Sequence, residues 1–355
     1  QVTSDPFQPE EMMKQFLSLL VFGAILTGCG SPITTATAPS QEDRLTAIAD
    51  VPQYALGKPI AQGNLTLYPV ILTKHNSIPH EDYISLAEAK KLGVVEISEM
   101  PGQEEVNRLM VKNMGPKPLL LLAGEMLLGG KQDRIVGKDT VVPAGEEMAV
   151  PGYCVEHDRW TRSSSKFEYS DSMAPAEVHL KASVGGQQEV WDEVASYNAS
   201  LKVSERQSSV RAGFQNKEVQ DRIASDLTPI QEKLEAEKQV VGVVYAVNGE
   251  IENLELFGSE PLFRASQNAL LKSFLADASS KVERKPKVLD IKDVTDFIRR
   301  ALDGQRSQTR IAGKISNWNY RSDGIKGAET TLADSPVNGT DRSGFVHGSY
   351  ASEKH

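Results

Sequence analysis

Residues 240–257 read VVGVVYAVNGEIENLELF, and this stretch decides the class of fold. Val240 to Val247 is a short, continuous apolar run rich in β-branched residues, which suits a strand buried on both faces. Asn248-Gly249 follows at once, and both residues tolerate the positive φ that a two-residue hairpin turn requires. Ile251 to Phe257 is then the return strand. An antiparallel hairpin therefore sits in the middle of the chain.

Upstream of the hairpin the pattern stays strand-like. Strands are expected near 64–72, 94–97, 106–111, 119–123, 134–136, 140–142 and 147–155, with turns at Gly137 and at Pro143-Ala144-Gly145. Residues 84–91 read as a short helix stopped by Gly93. The polar stretch 161–186 reads as a long loop. Helices follow at 188–201 and 217–238, the second capped by Asn216 and kinked by Pro229. Downstream, 261–275 and 291–302 are helical, with Asp290 as the cap of the last. The fold class expected is α+β: an antiparallel-rich β-sheet in the N-terminal half (mainly 60–160, joined by 240–257), with helices from the C-terminal half (188–238 and 261–302) packed on it. Residues 46–302 form a single domain in this reading. Residues 303–355 read as a polar, partly disordered tail with a short strand near 314–319 and a last strand near 345–350.

The chain has 355 residues and a formal net charge of −9. An acidic chain without a Lys/Arg cluster is a poor partner for nucleic acid, so none is expected. Residues 12–28 read as a bacterial lipoprotein signal peptide, and 1–11, being acidic, as lying upstream of the true start. Phe16 to Leu26 is an apolar run of signal-peptide length, too short to span a bilayer. Leu26-Thr27-Gly28-Cys29 matches the lipobox, in which small residues admit the peptidase and the thiol of Cys29 receives the diacylglycerol. Residues 29–45, rich in Ser, Thr and Pro, then form a flexible tether. By resemblance to Gram-negative lipoproteins, Gly30 after the cysteine implies anchoring in the outer membrane, facing the periplasm. With Cys29 lipidated, Cys154 has no partner for a disulfide in its own chain.

Residues 119–160 carry the most distinctive side chains: Gly124-Glu125, Gly129-Gly130-Lys131-Gln132-Asp133-Arg134 and Cys154-Val155-Glu156-His157-Asp158-Arg159-Trp160. The glycine-rich part fails as a phosphate loop, because Lys131 is followed by Gln132 and not by Ser or Thr. Gly129-Gly130 is either a hairpin turn or an anion cradle flanked by Lys131 and Arg134; turn glycines are much the commoner use. Cys154 reads as a buried thiol rather than a nucleophile, since His157 falls on the other face of an extended strand. No CxxC or HxxxH pair marks a metal site, and no cofactor is implied. Glu125 ends an apolar run, so it needs a partner, with Arg134 and Arg159 as candidates. Glu125, Gln132, Asp133, Arg134, Glu156, Arg159 and Trp160 together form the candidate ligand site.

Through Leu121-Leu122-Ala123-Gly124-Glu125, the GGKQDR run, Val142-Pro143-Ala144-Gly145 and CVEHDRW, the chain resembles the bacterial ARG and Rhodanese-Phosphatase-superfamily-associated protein domain. Asn248-Gly249-Glu250, Leu256-Phe257-Gly258-Ser259, Leu262-Phe263 and Leu270-Leu271-Lys272-Ser273 extend the likeness to about residues 60–300. The resemblance implies a link to ADP-ribose or NAD-derived metabolites. The leading expectation is a membrane-tethered binding module for a small anionic, nucleotide-like ligand. Two rivals stand beside it: a hydrolase using Glu125, Asp133 or Glu156 as acid or base, and an envelope protein whose polar cluster is structural. An open pocket would favour the first two, and a closed, mutually satisfied cluster the third.

Overall fold

The structure is a computed structural model that describes residues 45–73, 83–101, 107–156, 166–204, 209–282, 287–312, 314–334 and 342–353. The expected signal peptide, Cys29 and nearly all of the expected tether lie outside the described residues, as do His157, Asp158, Arg159 and Trp160.

The hairpin forms as its sequence predicts. Strands Val240–Val247 and Glu250–Phe257 pair antiparallel, and Asn248 and Gly249 take φ of 56° and 78°. All eight residues of the first strand are buried. Val243, Tyr245 and Val247 face one apolar cluster, covered by the helices Glu260–Ser279 and Lys217–Glu235. Val241, Val244 and Ala246 face a second, covered by the helix Ile291–Leu302. Two covered faces explain the continuous apolar run, because neither set of alternate side chains meets water. The helix Lys217–Glu235 starts at Asn216, which accepts the Glu218 N–H, and contains Pro229.

Around the hairpin grows a ten-stranded antiparallel sheet. One side adds Leu65–Leu72, which pairs with Tyr54–Leu56 and Ile60–Gln62; Tyr54–Leu56 in turn pairs with Thr46–Ala47. The other side adds, in order, Phe345–Ser352, Ile325–Leu332, Ile315–Ser322 and Gln305–Ala312. Four strands thus come from residues 303–355: Ile315–Ser322 and Phe345–Ser352 extend the short strands expected near 314–319 and 345–350, and Gln305–Ala312 and Ile325–Leu332 were not foreseen. Polar composition here does not mean solvation. Asn317, Glu329, Thr330, Arg342, His347 and Ser349 are all buried, and they hydrogen-bond to one another or to polar groups elsewhere in the fold. The unit that includes the sheet runs from Gln41 to His355 rather than ending at residue 302.

The strands between residues 95 and 173 do not join that sheet. Val95–Glu99, Arg108–Asn113, Glu147–Cys154, Arg134–Val136, Glu125–Gly129 and Phe167–Met173 form a separate antiparallel sheet in this order. Ser98 bridges Lys166, and Lys166 Nζ lies 2.7 Å from the Glu96 carboxylate, so the two edge strands meet and the sheet curls into a small barrel. Leu109, Val111, Leu127, Val136, Val150 and Phe167 pack together in one apolar cluster of this part. A three-stranded sheet of Thr140–Val142, Leu119–Leu121 and Ile84–Ser85 completes the β structure, its last pair parallel. The predicted loop at 161–186 contains, within its described part, the strand Phe167–Met173 and the helix Ala176–Val184.

Candidate functional site

The polar motif is closed by its own carboxylates. Gly129 and Gly130 turn the chain at φ of 126° and 57°, between strands that place Arg134 opposite Leu127. A Cβ on Gly130 would stand 2.3 Å from the Phe167 ring and 2.6 Å from a Glu99 oxygen, so only glycine fits. The backbone N–H groups that an anion cradle needs are taken. Gly129 donates to Asp133 at 2.9 Å, Lys131 to Glu99 at 2.9 Å and Asp133 to Glu156 at 3.1 Å. The hairpin-turn reading of the glycines is therefore correct, and the cradle holds protein carboxylates.

Gln132, Asp133, Arg134 and Glu156 do come together. Gln132 Nε2 donates to the Glu156 carbonyl at 2.7 Å, and Arg134 reaches the Gln132 amide oxygen at 3.4 Å, the Glu99 carboxylate at 3.6 Å and the thiol of Cys154. Arg134 is 1% exposed; burial pulls its guanidinium down from the usual arginine range, and Glu99 opposes the shift. Arg211 closes the far side with a 2.6 Å bond to Asp133. Sequence reading missed Glu99 and Arg211, which lie 35 and 77 residues from the arginine they surround and sit in no recognisable pattern.

Glu125 belongs elsewhere. It lies along the strand from the partner of Arg134, opposite Met173, and its carboxylate accepts the Leu122 N–H at 3.0 Å. The Tyr169 hydroxyl is its side-chain neighbour. Burial pushes the Glu125 carboxyl up to about 8 against the opposing Leu122 bond, so the group is mostly protonated at neutral pH. It sits in the floor of an open groove of about 1770 Å³, mouth included. The walls are Ile84 and Leu92, the segment from Pro116 to Leu122, and the first turn of the helix Glu260–Ser279 with its cap Ser259. Lys91 and Lys117 stand at the exposed rim.

Behind the groove lies a buried relay that the sequence did not announce. His347 donates from Nδ1 to Asp139 at 2.8 Å and from Nε2 to Glu255 at 3.0 Å. Asp139 also accepts Ala123 N–H and Thr330 Oγ1, each at 2.8 Å, and Ser349 Oγ donates to Glu255 at 2.8 Å. Burial disfavours both charges, yet each ion holds the other: Asp139 is lowered to about 2 and His347 raised to about 10. With both ring nitrogens occupied, His347 is a clamped imidazolium with no lone pair for base catalysis. His179 is buried beside it and held neutral by burial. Gly124, at φ 86°, lets the chain pass against the His179 ring, where a Cβ would lie 2.9 Å away. Leu122-Ala123-Gly124-Glu125 is thus a partition: Ala123 faces a hollow lined by Asp139, His179 and His347, and Leu122 and Glu125 face the groove. One available sequence signal was Glu255, a charge between Leu254 and Leu256 in the return strand. Among the described residues, no group of three or more His, Cys, Asp or Glu is arranged to hold a metal ion.

The residues that build the partition, the closed cluster and the relay fall within a match over residues 53–350 to the family described as the ARG and Rhodanese-Phosphatase-superfamily-associated Protein domain. The chain belongs to that family. In this member the domain's match spans parts of all three sheets, and it reaches through the C-terminal strands as far as Tyr350. The likeness seen in the sequence at residues 60–300 therefore understated its extent. No curated protein and no solved structure matches the chain.

Proposed function

We propose that this protein is a lipid-tethered module of the cell envelope, anchored through Cys29 and facing the periplasm, that binds a small anionic ligand in the groove floored by Glu125. The observation that carries the reading is the groove itself: an open concavity whose one buried carboxyl among the described residues is neutral near pH 7, with Lys91 and Lys117 at its rim. An anion approaching it meets positive charge and no buried negative charge. The lipobox Leu26-Thr27-Gly28-Cys29 and the apolar run before it support the tether. The family's association with ADP-ribosylglycohydrolases makes ADP-ribose one anion to try. In this reading Gln132, Asp133, Arg134 and Glu156 serve the fold, since they bond to one another and to Glu99 and Arg211.

The test is a thermal-shift screen of the purified chain at pH 6.5 with ADP-ribose, nucleotides, simple phosphates and carboxylates. At least one anion should raise the unfolding temperature of the wild type, and the K91E/K117E double variant should lose that shift. A wild type unmoved by every anion would refute the proposal.

One further observation favours a hydrolase. A carboxyl raised to about 8 is a competent general acid near neutrality. Of Glu125, Asp133 and Glu156, Glu125 is the one that lines the groove, which makes it the acid of that reading. E125Q would then keep ligand binding and lose turnover, whereas a pure binding module shows no turnover in either form.

A further inference from the structure

The groove wall has a definite chemistry. Leu120 and Leu122 line one side, Pro261 and Leu262 the other, and Leu92 projects from the end of the helix Leu86–Lys91 with 67% of its surface exposed. Tyr83 is the one aromatic side chain lining it among the described residues. A nucleobase is normally gripped by ring stacking and by hydrogen bonds along its edge. Aliphatic walls offer area and no direction, which suits a flexible hydrocarbon chain.

Polar groups lie at the rim. Glu88 is turned inward on its own helix cap, accepting from Ser85 N and Oγ at 3.0 Å each. Lys91 and Lys117 are both exposed there. The rim therefore carries cationic charge above an apolar trough, which is the complement of a molecule with one anionic end and one greasy end.

We infer that the ligand of this groove is a monomeric single-chain amphiphile, an acyl chain of medium length ending in a carboxylate, with its chain along Leu92, Leu120, Leu122 and Leu262 and its head at Lys91 and Lys117. The inference rests on the groove being the ligand site, and it replaces a nucleotide-like ligand with a fatty-acid-like one. Neither covalent nor redox chemistry is involved. Affinity comes from the chain, at about fourfold per buried methylene, and orientation from the head.

The experiment is photo-cross-linking of the full chain with a diazirine-bearing decanoate, read by peptide mass spectrometry. Unlabelled octanoate, decanoate, dodecanoate, decanol and ADP-ribose serve as competitors. Label should fall on residues 83–92, 116–122 and 259–266. Competition should strengthen about three- to fourfold per methylene from octanoate to dodecanoate, and decanol should be about two- to fivefold weaker than decanoate. L92E should abolish labelling while leaving the unfolding temperature in place, because Leu92 is exposed. Label scattered over the surface, potency independent of chain length, or labelling that survives L92E would overturn the inference. Competition by ADP-ribose with no chain-length dependence would remove the amphiphile but keep the anion-binding groove. Absence of both labelling and competition at the groove would remove both.

Discussion

Arg134 was one of two candidate partners for Glu125 in the sequence, with Arg159, and the structure gives Arg134 and Glu125 different work. Arg134 is a cross-brace between Glu99, Gln132 and Cys154. R134M should cost about 3 kcal/mol, because the partners lose their cation while staying mostly enclosed. Urea unfolding measures this, and a loss below about 1 kcal/mol would show the pair to be incidental. Ligand shifts at the groove should survive in the fraction that folds. Glu125 makes a pH prediction of opposite character. Its pKa rises from 4.5 to about 8 on folding, so the folded chain keeps a proton that the unfolded chain sheds above pH 4.5. Stability is therefore full below pH 4.5, declines as pH rises through about 8, and levels off beyond. The slope is at most about 1.4 kcal/mol per pH unit. E125Q should remove that slope, and denaturation curves at pH 5, 6.5 and 8 compare the two proteins; parallel curves would mean that Glu125 is ionised in the fold. His347 contributes with the same sign at higher pH, its stabilisation complete below 6.5 and lost as pH rises through about 10. Asp139 has the opposite sign, its contribution present above 3.8 and lost as pH falls through about 2.

Among the elements, the turns were the most legible because each depends on one local feature. Asn248-Gly249, Gly129-Gly130 and Gly145 all take the positive φ their sequence foretold. Asp290 and Asn216 cap the helices they were expected to cap. G130A should destabilise the barrel by about 2 kcal/mol or more, from strain at positive φ plus the clash with Phe167, and thermal unfolding checks it. Of the C-terminal strands, Ile315–Ser322 and Phe345–Ser352 were legible in part, and Gln305–Ala312 and Ile325–Leu332 were not. Ile315–Ser322 and Ile325–Leu332 alternate apolar residues with Asn, Thr and Glu that meet partners far away in the sequence, as Thr330 meets Asp139. A local window sees only their polarity. Truncation after Leu302 should therefore prevent folding rather than trim a tail, since it removes the neighbour of Glu250–Phe257 and takes His347 away from Asp139 and Glu255. Amide hydrogen exchange of the intact chain should show residues 345–352 as well protected as 240–247; fast exchange there would contradict the sheet order.

For the whole molecule, the proposed tether has the simplest test. Wild type expressed in a Gram-negative host should incorporate labelled palmitate and sediment with the outer membrane, and C29S should do neither. Labelling of C29S would sink the anchor. Among the described residues no helix is long and apolar enough to cross a membrane.

The sequence by itself determined whatever is set within a few residues: the central hairpin, the helix caps, the glycine turns, the α+β class and the family. It also brought Gln132, Asp133, Arg134 and Glu156 to notice as one polar group, because strand pairing between 134–136 and 152–154 follows from short turns. Tertiary structure alone decided that this group is closed, since the closing residues Glu99 and Arg211 come from separate strands and helices. It alone divided the β structure into a ten-stranded sheet, a six-stranded barrel and a three-stranded sheet. Only packing could turn Leu122-Ala123-Gly124-Glu125 into a partition with an apolar groove on one side and an ionised histidine relay on the other. Whether a carboxyl is charged depends on burial and neighbours, and those are properties of the assembled fold.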